Sequence, residues 1–155
     1  KFGLSKQKPK FKGLLTTGNI KGKKVYAIKP LTFMNNSGIC IRELIEYFKI
    51  EAENVIVFHD DLDIDFGKIK AKFGGSSAGH NGIESIDKFI GKDYSRIRIG
   101  IGKPKKNSDV VDHVLKDFDE EEIKDLKKIT SNITESLSIL LDKKLDLFSS
   151  TINNK

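Results

Sequence analysis

The sequence predicts an α/β fold: one domain over residues 1–155, a three-layer sandwich in which a mixed, twisted β-sheet carries helices on both faces. Three observations predict it. From about residue 24 to 102, segments of strand length alternate with segments of helical apolar period, the order expected when helices pack on a sheet. Residues 54–58, Asn-Val-Ile-Val-Phe, form an almost continuous apolar run, as in a strand covered on both faces. A chain of 155 residues, 37% apolar and without an internal repeat or linker, suits a single hydrophobic core.

The elements follow in order. Leu14 and Leu15 lead into Asn19-Ile20-Lys21-Gly22, a turn signal, and then Val25-Tyr26-Ala27-Ile28, so residues 13–29 read as a hairpin. Pro30 stops its second strand. The polar stretch Thr32 to Gly38 offers Asn36 or Ser37 as an N-cap. Ile41, Leu44, Ile45 and Phe48 then recur at helical spacing. Residues 67–73 alternate, with Lys68, Lys70 and Lys72 on one face and Ile69, Ala71 and Phe73 on the other, a half-exposed strand with a lysine row. A glycine-rich loop at 74–82 precedes a short helix marked by Ile83, Ile86, Phe89 and Ile90. Arg96-Ile97-Arg98-Ile99 reads as a second basic-faced strand, and 100–106 as a basic loop. Asp119 and Glu122 have capping-box spacing. They open a long helix with Ile123, Leu126, Ile133, Leu137, Leu140 and Leu141. Residues 145–152 add a final short helix, and 153–155 a frayed tail.

Net charge is +6, and its distribution says more than its size. Nine lysines and Arg42 precede the first carboxylate, Glu43. A basic half beside acidic clusters at 51–65 and 117–125 suggests a polyanionic partner. A lysine-rich solvated surface would look the same, and composition does not separate the two. Cys40 is the sole cysteine, which excludes an internal disulfide and a Cys-rich zinc site. Its apolar helical context predicts a buried small hydrophobe. No apolar run approaches the ~20 residues that span a bilayer, and the first 30 residues hold no apolar signal core. A cytoplasmic location is the expectation.

Several motifs fail on inspection. Asp61, Asp63 and Asp65 open like a calcium loop, but the glycine falls late at Gly67 and Lys72 replaces the closing glutamate. Gly100-Ile101-Gly102 lacks the third glycine of a dinucleotide fingerprint. Gly75-Ser76-Ser77-Ala78-Gly79 satisfies G-x-S-x-G, which would make Ser77 a nucleophile with Asp112 and His113 downstream. The chain is short for that fold, and a flexible Gly/Ser loop is the better reading. The remaining candidates lie past the carboxyl ends of strands, where open α/β folds bind ligands. These are Asn35, Asp60, His80 and Asn81. Two amides and a carboxylate suit hydrogen-bonded recognition and the orientation of a base rather than metal ligation.

Four segments then carry a resemblance: Thr32-Phe33-Met34-Asn35-x-Ser37-Gly38, His59-Asp60-Asp61-Leu62-Asp63, Gly74-Gly75-x3-Gly79-His80-Asn81-Gly82, and Arg96-x-Arg98-Ile99-Gly100-Ile101-Gly102. In order and spacing, the chain resembles the bacterial-type peptidyl-tRNA hydrolase family. The resemblance implies an esterase that cleaves peptide from the 3′ ribose of tRNA, recycling tRNA from stalled ribosomes. It implies no metal and no nucleotide cofactor, a peptidyl-tRNA partner, no membrane or protein partner, and a monomer. It also implies a histidine base whose basic form Asp60 stabilises. Phe33, Asn35, His80 and Asn81 would meet the peptide and the 3′ end. Lys70, Lys72 and Arg98 would face tRNA phosphates. The family's opening strand, Gly-Asn-Pro-Gly loop and Thr-Arg-His-Asn stretch, which bears the base, do not occur in these 155 residues. On this ground the chain is expected to lack an N-terminal segment and to be inactive alone. The competing classes are a non-catalytic RNA-binding relative and a serine esterase using Ser77.

Overall fold

The computed structural model describes residues 2–104 and 110–155. Lys105 and Lys106 of the expected basic loop lie outside the described residues. The fold class is α/β, with a mixed sheet and helices. The chain divides into two compact units, Lys1–Val55 with Phe73–Ser95, and Ile56–Lys72 with Arg96–Lys155.

In the first unit, β1 (Lys8–Lys10), β2 (Gly13–Ile20) and β3 (Lys23–Pro30) form an antiparallel meander. Both links are two-residue turns with positive φ throughout: 54° and 55° at Phe11-Lys12, 48° and 80° at Lys21-Gly22. Such turns match the right-handed twist of paired strands. The turn needs only Lys21 and Gly22, so Asn19 and Ile20, expected in it, pair within β2 instead. Strand β1 carries no strand signal. Lys-Pro-Lys joins as a three-residue edge, where proline is tolerated.

Helix α1 (Ser37–Phe48) packs against α2 (Asn81–Ile90). Gly38 permits this contact, since a Cβ there would stand 2.1 Å from the Ser85 carbonyl oxygen. Neither expected N-cap side chain caps α1. Ser37 Oγ donates to the Met34 carbonyl at 2.8 Å, and the Gly38 N–H donates to Ser85 Oγ at 2.9 Å. The cap therefore comes from the neighbouring helix. Cys40 is buried as expected, among Leu15, Ile41, Leu44, Ile83 and Ile86 of this unit's core. Burial pushes its thiol up to about 11, with Glu43 adding to the effect and Lys12 opposing it.

The second unit holds β4 (Ile56–Asp61), β5 (Ile69–Phe73) and β6 (Ser95–Gly100) in the order β4-β6-β5. Strand β6 runs parallel to β4, with Ser95 N–H bonded to Val55 O and Ile101 N–H to Asp61 O. It runs antiparallel to β5, where Gly67 and Gly100 N–H donate to Gly100 and Lys68 carbonyls. The strand expected at 54–58 begins later, because Ala52–Asn54 turn as a short 3-10 helix, and it persists through Asp61. It is not covered on both faces, since Phe58 is exposed. Helix α3 (Val110–Leu115) was not expected. Helix α4 (Glu120–Leu141) starts in the expected capping box, Glu122 N–H to Asp119 Oδ1 at 2.8 Å and Asp119 N–H to Glu122 Oε2 at 3.0 Å.

Helix α5 (Leu145–Asn153) overturns the frayed tail at its first residue. Asn153 accepts the Ile69 N–H at 2.9 Å and donates to the Ile69 carbonyl at 2.8 Å, and Ser149 Oγ accepts the Ala71 N–H at 2.8 Å. Four residues of helix rise about 6 Å and two of strand about 6.6 Å, so one helix face meets alternate groups of β5. Ile69, Ile97, Leu140, Phe148 and Ile152 form the core of this unit. No described helix is long and apolar enough to cross a membrane.

Candidate active site

In the first unit the site residues gather on two helix starts. Phe33 is 82% exposed, and Asn35 lies in the 3-10 turn Met34–Asn36 that leads into α1. At the start of α2, Nδ1 of His80 accepts from Gly82 N–H at 3.1 Å and Ile83 N–H at 3.3 Å. A nitrogen accepting two N–H groups is unprotonated, so neutral His80 carries its proton on Nε2. The expectation treats this histidine as a substrate contact; here it is also the N-cap of α2, leaving the neighbouring Asn81 exposed. Met34 joins the two starts. A Cβ on Gly82 would come within 2.6 Å of Met34 Sδ, so a side chain from one helix start lies on the backbone of the other. The structure thus brings Phe33 and Asn35 near His80 and Asn81. Sequence reasoning missed Met34, whose only signal is its place inside the first motif.

In the second unit, Asp60 lies inside β4, one residue before its end, rather than past the strand as expected. Alternation along the strand puts His59 and Asp61 on one face and Asp60 on the other, as the sequence suggests. Asp61 Oδ2 accepts from Arg98 Nε at 2.7 Å, and Asp61 Oδ1 accepts from Asp63 N–H at 2.9 Å. Burial works to raise the Asp61 pKa, but the hydrogen bonds from Arg98 and Asp63 and the Arg98 charge outweigh it and hold the carboxyl below the usual range. Asp60 instead lines a cavity of about 230 Å³ with Ile101, His113, Val114, Lys116, Phe118 and Glu122.

The expected basic strand faces need correction. Arg96 is fully buried, and Arg98 is committed to Asp61. On β5, Lys70 is exposed as expected, whereas Lys72 is half-buried and Lys68 precedes the strand. Alternation fixes which side chains share a face but not what covers that face. Lys103, within the basic loop, pairs with Asp63 at 2.7 Å. The hydroxyl of Ser77 donates to Glu84 Oε1 at 3.2 Å, whereas Nε2 of His113 is bonded to backbone carbonyls. Neither contact is a step of a serine relay. Among the described residues, no group of three or more His, Cys, Asp or Glu is placed to hold a metal ion.

Each unit offers groups of a class that holds polar substrates by hydrogen bonds: two amides at helix starts in the first, and in the second a β4 carboxylate that lines a cavity. Comparison narrows the class. The model of the family described as peptidyl-tRNA hydrolase matches residues 1–155. The chain is 83% identical over 155 residues to a peptidyl-tRNA hydrolase of Pelagibacter ubique, covering 100% of this chain and 83% of that one. It is 42% identical over 154 residues to that of Ehrlichia canis, covering 99% and 79%. A crystal structure of peptidyl-tRNA hydrolase from Acinetobacter baumannii matches with a TM-score of 0.88 and 33% identity, over 98% of this chain and 78% of that one. The chain belongs to the peptidyl-tRNA hydrolase family. These matches lend no support to the serine-esterase and non-catalytic readings, nor to the expectation that the chain alone is inactive.

Proposed function

We propose that the chain hydrolyses the ester between peptide and tRNA in peptidyl-tRNA, as a monomer in the cytoplasm. The observation that carries the reading is the division of labour at the end of β4. Asp61 is neutralised by Arg98, while Asp60 faces a cavity. In this reading Asp60 accepts the Nδ1–H of a histidine base, whose Nε2 then takes a proton from the attacking water. Water adds to the ester carbonyl, the tetrahedral intermediate collapses, and the tRNA 3′ oxygen leaves with a proton. The Asn35 and Asn81 amides hold the peptide and the 3′ end, Phe33 supplies a ring beside them, and exposed Lys70 meets phosphate. Among the described residues, Arg98 acts chiefly through Asp61.

The test is steady-state turnover of diacetyl-Lys-tRNA. It is run on this chain and on the chain joined to the family's Thr-Arg-His-Asn segment. Asp60→Asn should lower the rate of the joined protein by roughly ten- to a thousandfold, because it withdraws the group that orients the base. Ser77→Ala should leave it unchanged. A rate that survives Asp60→Asn sinks the reading. Equal turnover without the added segment would assign the base to His59, His80 or His113.

A further inference from the structure

Helix α3 spans six residues and exposes Val111, Val114 and Leu115. So short a helix does not hold itself together in water, so something outside it fixes its place. His113 supplies that attachment. Its Nε2 lies 3.1 Å from the Ile101 carbonyl oxygen and 3.0 Å from that of Gly102. Both partners only accept, so Nε2 carries the proton and Nδ1 is left with the lone pair in the neutral ring. The same two residues are held through their N–H groups as well. Ile101 N–H donates to the Asp61 carbonyl at 3.0 Å, and Gly102 N–H to the Ile64 carbonyl at 2.9 Å. Gly102 sits at φ +68°, a left-handed conformation that side-chain-bearing residues rarely adopt, so the geometry of this strap is demanding. A two-residue strap therefore links the backbone beside Asp60 to one imidazole of α3. Asp60, His113 and Val114 line the same cavity.

We propose that His113 is a positioning residue for the hydrolysis. Its Nε2–H ties α3 to the end of β6 and so sets Val114 as the apolar wall of the cavity that contains Asp60. The proposal rests on the hydrolase reading above. A wall touches substrate in the ground state and the transition state alike, so its loss acts on KM rather than kcat.

The experiment compares wild type, His113→Ala and His113→Gln in the protein competent for turnover of diacetyl-Lys-tRNA. His113→Ala should raise KM by roughly fivefold or more and keep kcat within about twofold, as expected when uniform binding is lost. Glutamine can donate an amide N–H to the same carbonyls, so His113→Gln should recover most of that loss. A wild-type KM in His113→Ala, or a fall in kcat at constant KM, overturns the proposal. Imidazole 15N spectra give a second readout without substrate: the neutral ring should show the Nε2–H tautomer, and the Nδ1–H form overturns the tether. If wild type itself turns over no substrate, the hydrolase reading fails and the positioning role with it, while the spectra still decide the tether.

Discussion

Asp60 and Asp61 are adjacent in sequence and opposite in circumstance. Alternation turns one into a cavity and the other onto Arg98. Arg98→Ala should therefore cost stability, by about 1–3 kcal/mol at neutral pH, because a largely buried carboxylate loses its main partner. The pH dependence has a definite sign. The folded Asp61 pKa lies below the unfolded value of about 3.9. Its stabilising contribution is complete above that value and disappears as pH falls through the folded pKa. Urea midpoints of wild type and Arg98→Ala should thus differ at pH 7 and converge in acid. A gap that stays constant to low pH would mean that Arg98 stabilises by packing alone. Cys40 provides a second residue-scale expectation. With its pKa raised to about 11 and its side chain buried, it should resist iodoacetamide at pH 8 and react only in denaturant. Rapid labelling of the native protein would contradict this. The opposite facing of Asp60 and Asp61 was legible, because neighbours on a strand alternate. The Asp61–Arg98 pair was not, since its members lie 37 residues apart on different strands.

At the scale of elements, the α1–α2 contact depends on a missing side chain. Gly38→Ala should drive a methyl into the Ser85 backbone, and backbone cannot rotate away. A loss of roughly 3 kcal/mol or more is expected, at the upper end of overpacking costs. Asp119→Ala should cost about 1 kcal/mol, as the loss of a helix cap does. Thermal melting of both variants checks the ranking; an Asp119 loss larger than the Gly38 loss would refute it. Helix α4 was legible because its capping box and apolar period persist through 22 residues. Strand β1 was not, because a lysine–proline–lysine edge is recruited by its hairpin partner rather than by its own propensity. Asn36 holds the N-cap position of α1, as the sequence offers, yet its side chain makes no cap hydrogen bond. Asn36 and Ser37 have the chemistry of a cap, but Ser85 comes from the opposing helix to do it.

For the whole molecule, the +6 charge predicts salt-sensitive binding of tRNA. A plot of log affinity against log salt should slope downward, and Lys70→Ala should flatten it by about 0.7–0.9 if Lys70 meets one phosphate. Arg98→Ala should change the slope less than Lys70→Ala, because that guanidinium is engaged within the protein. A larger slope change from Arg98 would show that it leaves Asp61 for RNA. The closure of the β5 edge by α5 bears on how the protein is made. Ile69 and Ala71 find their partners in Asn153 and Ser149, 84 and 78 residues later. A ribosome builds the chain from its N-terminus, so β5 leaves the exit tunnel long before those partners exist. During that interval an unpaired edge strand is open to pairing with another chain. The first unit draws only on residues up to Ser95 and can close early. The second must wait for α5, so its nascent form is the stage at which trigger-factor-like chaperones have an edge to shield.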